Sequence, residues 1–90
     1  MTKALVSVTG LDTTGIIARV ATKLSEMNIN ILDITQTILD GYFTMLMVVD
    51  LDGAKLSFEE INQELQPVRD EMKMTIHMQL MDIFDAMHRI

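Results

Sequence analysis

The chain has 90 residues, which is enough for one domain, and its composition excludes several classes of protein. With 49% apolar residues it is too hydrophobic to be intrinsically disordered, and without cysteine it has no disulfides, thiolate metal sites or thiol catalysis. The formal net charge of −6 disfavours binding to nucleic acid. No apolar run reaches the roughly 18 residues that span a bilayer, and the N-terminus lacks a signal-peptide pattern, so we expect a cytoplasmic protein without membrane contact.

The first 28 residues predict a strand followed by a helix. Residues 3–9 alternate between two faces with the period of a strand, which Gly10 is expected to end. Asp12 or Thr13 can cap the helix that follows, and its apolar residues recur every three or four positions to form one buried stripe. Asn28 suits the left-handed residue that ends such a helix.

An antiparallel hairpin is predicted after that helix. Residues 29–39 and 42–51 are two β-rich runs around Asp40-Gly41, a dipeptide typical of a two-residue turn in which both residues have positive φ. Both faces of the second run are largely apolar, whereas a sheet with helices on one side only should have one polar face. We therefore expect a partner subunit or the chain's own C-terminus to cover the second face.

The rest of the chain predicts a second helix, a fourth strand and a tail. Ser57 and Glu60 have the spacing of a capping box, in which each side chain bonds the backbone amide of the other residue. Residues 73–80 alternate with the period of a strand. The tail has the pattern of a short amphipathic helix, with apolar positions at Ile83, Phe84, Met87 and Ile90.

The element order β-α-β-β-α-β predicts an α+β fold of the ferredoxin-like type. In this sandwich a four-stranded antiparallel sheet carries two helices on one face, and right-handed crossovers place the first and third strands in its centre. We expect this domain to occupy residues 1–80 and a short C-terminal helix to occupy residues 81–90.

The turn before the first helix is the candidate ligand site. The amides of residues 13–16 have no acceptor within the helix and favour an anion, and Gly15 allows a ligand to approach the backbone. Asp12 can hold an ammonium group, and Asn30 offers both a donor and an acceptor. This combination suits a zwitterionic amino acid. A structural role remains open, with Asp12 as a helix cap, Gly15 for tight packing and Asn30 in a turn.

Two segments on either side of the first helix share a distinctive pattern. They read Leu11-Asp12-Thr13-Thr14-Gly15-Ile16-Ile17-Ala18 and Met27-Asn28-Ile29-Asn30-Ile31. Together they resemble the ACT domain, whose pattern is a D-x-x-G-(I/V) turn, a helix and then (G/N)-(I/V)-N-I. The resemblance covers roughly residues 3–80, and residues 83–90 resemble the tail of a group of short, free-standing prokaryotic ACT proteins.

The resemblance implies a regulatory module that binds an amino acid. It also implies a homodimer in which two copies pair side by side into one continuous sheet, and a separate enzyme or transcription factor as the regulated partner. One wall of the ligand site would run from Asp12 to Gly15, and Asn30 would form another wall across the subunit interface. The candidate ligand-binding residues are Asp12, Thr13, Thr14, Gly15, Ile16, Asn28 and Asn30.

The residue types favour binding over catalysis. There is no Ser-His-Asp set, phosphate loop or pair of buried carboxylates, and His77 and His88 lie in different elements without metal-ligand spacing, so we expect no enzyme activity, cofactor or metal. An RNA-binding module with this element order would carry stacking aromatic residues on its first strand, which has none. The alternative to a sensor is a structural or protein-interaction domain with no small-molecule ligand, which the apolar second face favours.

Overall fold

The computed structural model describes residues 2–11 and 14–81 and confirms the predicted ferredoxin-like α+β fold. The four strands form one antiparallel sheet in the order β2-β3-β1-β4, so β1 and β3 are central. Residues 82–90 of the predicted tail helix lie outside the described residues. The elements are β1 (Lys3–Leu11), α1 (Ile16–Glu26), β2 (Asn30–Leu39), β3 (Tyr42–Asp50), α2 (Phe58–Met72) and β4 (Thr75–Leu80).

Both helices pack on one face of the sheet, and the core lies between these two layers. Alternate residues of the strands point into this core, as the period of two requires, and each helix contributes three buried residues spaced by three or four positions. The central strands contribute Ala4, Val6, Val8, Phe43, Met45, Met47 and Val49; the helices contribute Ile16, Val20, Leu24, Ile61, Leu65 and Val68.

β1 continues through Gly10 rather than ending there, which corrects the sequence-based expectation. Gly10 pairs with Phe43 and Leu11 pairs with Tyr42 inside the ladder. The glycine has a packing role, because a Cβ atom at this position would lie 2.5 Å from the sulfur of Met74. A glycine inside a strand marks such a close approach.

The three residues predicted to have positive φ are confirmed. Asp40 and Gly41 have φ values of 53° and 81°, as a type I′ hairpin turn requires. Asn28 has φ 60° and follows Met27, the C-cap of α1, where a left-handed residue ends the helix. These local signals fix the hairpin between β2 and β3 and the point at which the chain leaves α1.

The predicted capping box opens α2. The Glu60 amide donates to the Ser57 hydroxyl at 3.2 Å, and the Ser57 amide donates to the Glu60 carboxylate at 2.9 Å. The hydrogen bond from the Ser57 backbone, followed by that of the Ser57 side chain, holds the pKa of Glu60 below its ordinary value. The carboxylate is therefore the form that the cap stabilises.

Acid is expected to weaken this cap. Because folding lowers the pKa of Glu60, its contribution is complete above the ordinary value of 4.5 and is lost as the pH falls through the lower folded value. Glu60→Gln should flatten the dependence of the melting temperature on pH below about pH 5. Glu59→Gln changes the neighbouring carboxylate outside the capping box and should keep the wild-type profile; equal profiles for both variants would refute this role of Glu60.

Candidate functional site

Gly15 determines the backbone of the turn before α1. Its φ of 86° lies in the left-handed region, which a residue with a Cβ atom rarely adopts. Nothing among the described residues lies within 4 Å of the position that its Cβ would occupy. The glycine therefore serves the conformation of the turn, and none of the described residues blocks the approach of a small molecule to it.

The first turn of α1 presents main-chain donors to that open surface. Gly15 is the N-cap residue and has no side chain with which to cap the first amides. These amides have no acceptor within the helix, and the first turn carries no acidic residue. The positive end of the helix dipole is therefore uncompensated by the first turn and favours an anionic group such as a carboxylate.

A cavity of about 200 Å³ lies between this first turn and the β2–β3 hairpin. Its size suits a molecule smaller than a typical drug-sized ligand. Apart from the amide of Gln36, its side chains are apolar, so one end offers backbone donors and the other an apolar wall. The lining residues are Gly15, Ile16, Ile17, Ala18, Gln36, Ile38 and Phe43.

α1 covers β2 only in part, which leaves the far wall of the cavity exposed. Ile34 pairs with Met47, and Ile38 pairs with Phe43, so both isoleucines lie on the helix side of the sheet. Ile34 is nevertheless 43% exposed and Ile38 is 56% exposed, whereas their β3 partners are buried. An edge strand with exposed apolar side chains and unpaired backbone groups is suited to pairing with another strand.

Part of the predicted site lies at this cavity. Gly15 and Ile16 line it, and Thr14 is exposed immediately before Gly15. Asp12 and Thr13 lie outside the described residues. The described part of the predicted turn therefore lies where a ligand can reach the first amides of α1.

Within one chain, the two predicted asparagines lie at the other end of α1. The helix has 11 residues and is about 16 Å long, and Asn28 follows its C-terminus. The Asn28 side chain donates to the Gly53 carbonyl at 2.9 Å, which ties α1 to the loop after β3. Asn30 begins β2, where it pairs with Asp50 and is exposed.

Sequence reasoning missed most of the apolar wall. Ile17 is one of the apolar residues that the helical period predicts on the buried stripe of α1, yet it is 39% exposed and lines the cavity. Gln36 and Ile38 come from alternate positions of β2, and Phe43 comes from the start of β3. The alternation of side chains along β2 shows that Gln36 and Ile38 share one face of the sheet. It does not show whether that face is the one covered by the helices.

A larger cavity of about 380 Å³ lies at the opposite end of α1. Several polar side chains around it already have partners. Lys23 forms an ion pair with Glu64 at 3.3 Å, and Asn28 is bonded to the Gly53 carbonyl. These contacts join α1 to α2 and to the loop after β3. The polar side chains around this cavity therefore have a structural role in holding these elements together.

The described residues contain no candidate metal centre. No group of three or more His, Cys, Asp or Glu side chains comes together within residues 2–11 and 14–81. His77 is exposed on β4, and His88 lies outside the described residues. None of the helices that the structure describes has the length and apolar character needed to cross a membrane.

Comparison with known proteins identifies the family. The family model of the ACT domain matches residues 2–79. The chain belongs to the ACT domain family. A UPF0237 protein of Bifidobacterium longum is 49% identical to it over 90 residues, which cover the whole of both chains.

Solved structures agree with this ACT assignment. An ACT domain protein from Streptococcus pneumoniae has 40% sequence identity and a TM-score of 0.82, over 92% of this chain and 93% of that one. The ligand-free regulatory subunit of aspartate kinase from Thermus thermophilus has 25% identity and a TM-score of 0.68, over 87% of this chain and 50% of that one. In related proteins, the ACT domain is generally a regulatory module that binds small molecules.

Proposed function

We propose that this ACT domain is a cytoplasmic, non-catalytic homodimer that binds an amino acid or a similar small zwitterion. The carrying observation is the cavity beside α1, where the first main-chain amides of the helix lie next to an apolar wall. The ligand carboxylate would accept from the first amides of α1, and its apolar part would pack against Ile17 and Ile38. Asp12, three residues before Gly15, would hold the ammonium group.

The second copy is proposed to pair along the exposed edge of β2. Identical strands related by a two-fold axis pair antiparallel, so each residue lies opposite the residue equally far on the other side of the axis. With the axis at Ile34, Asn30 of the partner subunit lies opposite Ile38, because each residue is four positions from the centre. This pairing brings the backbone of the partner's Asn30 to the edge of the cavity, although Asn30 of the same chain is distant from it; by its register before the bulge, the Asn30 side chain lies on the other face of the sheet.

Ligand binding is proposed to act through this interface on a separate enzyme or transcription factor. A ligand that contacts the cavity of one subunit and Asn30 of the partner subunit would bind the dimer better than the monomer. Such differential affinity is what allows a ligand to shift an equilibrium between two states. The regulated partner would recognise the dimer in its ligand-bound arrangement.

A thermal-shift screen of the common amino acids tests the proposal. A ligand present at about one hundred times its dissociation constant adds about 2.7 kcal/mol to the free energy of unfolding. For a chain of this size, the melting temperature should rise by about 10 °C or more. Asp12→Ala should remove this rise while changing the stability of the ligand-free protein by no more than about 1–2 kcal/mol.

Asp70→Ala, on α2, is the matched control and should keep the ligand-induced rise. A melting temperature that stays within about 1 °C for every amino acid at millimolar concentration would contradict the sensor proposal. It would favour the alternative, a protein-interaction domain without a small-molecule ligand.

A further inference from the structure

The sheet face opposite the helices has an apolar centre. We call it the open face and define it by Leu5 and Ser7 of β1 and by Leu46 and Val48 of β3, which pair with each other across the two central strands. Their neighbours along each strand are buried beneath the helices, so these four side chains lie on the other side of the sheet. No helix or strand that the structure describes packs on the open face.

We propose that residues 82–90 of the same chain form a helix that covers the open face. β4 is an edge strand and ends at Leu80, which pairs with Ala4 at the beginning of β1. The segment therefore leaves the domain at the border of the open face. Nine helical residues span about 14 Å, and two interstrand spacings span about 10 Å, so even an oblique helix would reach β3.

The sequence of this segment complements the open face. Its four apolar residues fall on one side of a helix, and they would meet the apolar residues at the centre of the sheet. Its charges would also match the sheet. Asp85 would lie in the half nearer β1, which carries Lys3, and Arg89 would lie in the half nearer β2, which carries Asp33. Lys3 and Asp33 are both exposed and, by their register, lie on the open face.

Covalent attachment favours this segment over a second copy of the chain. A tethered segment has an effective concentration in the millimolar range, whereas a second copy must be recruited from solution. A covered open face also leaves the β2 edge as the apolar surface available for pairing. Assembly would then stop at the homodimer, because no open face would be left for contacts between dimers.

Disulfide trapping in the full chain tests the proposal. The chain contains no cysteine, so Val48→Cys combined with Met87→Cys introduces the only two thiols. A disulfide forms only when the two Cα atoms come within about 7 Å. After mild oxidation we expect most molecules to carry an intrachain disulfide, seen as a faster-migrating monomer on a non-reducing gel and as a mass loss of two hydrogens.

The matched control pairs Met87→Cys with Gln63→Cys, an exposed position on α2, and should give no more than a trace of intrachain disulfide. If the variant with Val48→Cys and Met87→Cys formed disulfide-linked dimers but no intrachain disulfide, the proposal would be overturned in favour of a second copy on the open face. An intrachain yield no higher than that of the control would also overturn it.

A single substitution provides a second readout that needs no cross-link. Phe84→Ser should increase the fluorescence of a dye that binds apolar surface several-fold, because the open face would lose its cover. Gln63→Ser should leave the dye signal unchanged. A dye signal for Phe84→Ser equal to that of the wild type would contradict the proposal.

Discussion

Ile34→Lys is expected to separate the homodimer into monomers. Ile34 lies midway along the β2 edge and is 43% exposed in the single chain. In a two-fold pairing centred on it the change occurs twice, and two ammonium groups face each other. Because less than half of the side chain remains to be buried, the loss is about 0.6–1.3 kcal/mol at each of two positions, which should raise the dissociation constant roughly 10- to 100-fold.

Light scattering on a size-exclusion column, over a range of protein concentrations, measures this effect. Thr75→Lys places the same charge on β4, the opposite edge of the sheet, and should leave the dimer intact. If Ile34→Lys remains as dimeric as the wild type, or if the wild type is a monomer at every concentration, β2 is not the interface.

Ile38→Trp is expected to block the cavity. Ile38 lines it on the β2 side, and a larger side chain there would occupy the space of the ligand. Displacing such a side chain costs about 1–3 kcal/mol, which corresponds to a roughly 5- to 150-fold weaker affinity for the amino acid that stabilises the wild type. Calorimetric titration of the two proteins measures the ratio.

Leu39→Trp is the matched control, because the next residue along a strand points to the other face of the sheet. Leu39 pairs with Tyr42 and does not line the cavity. The natural chain has no tryptophan, so each variant carries one fluorophore, and ligand should alter only the emission of the Ile38 variant. Equal affinities for the two variants would place the ligand elsewhere.

Most of the fold could be predicted because its signals are local. The Asp40-Gly41 turn, the Ser57–Glu60 capping box and the left-handed Asn28 each depend on a few neighbouring residues, and all three are confirmed. Gly10 does not end β1 as its residue type suggested, because the close packing that explains a glycine at this position involves a residue that is distant in the sequence. That residue is Met74, which follows α2 in the other half of the chain.

The apolar wall of the cavity could not be predicted, because it depends on the register of β2. A bulge shifts the pairing between Ile31 and Asp33, and such a shift exchanges the residues that face the two sides of a sheet. Alternation alone therefore could not show that Gln36 and Ile38 face the helices. The exposure of Ile17 is likewise a tertiary effect, because α1 covers β2 only in part.

An amide NMR titration with the amino acid that gives the largest thermal shift would show directly whether the ligand binds beside the first turn of α1. The two cavities lie at opposite ends of α1, so the positions of the shifted signals distinguish between them. We predict the largest changes at Gly15, Ile17 and Ile38, together with Asn30. Changes centred instead on Met27, Gly53 and Lys55, or no changes at saturating ligand, would contradict the proposed site.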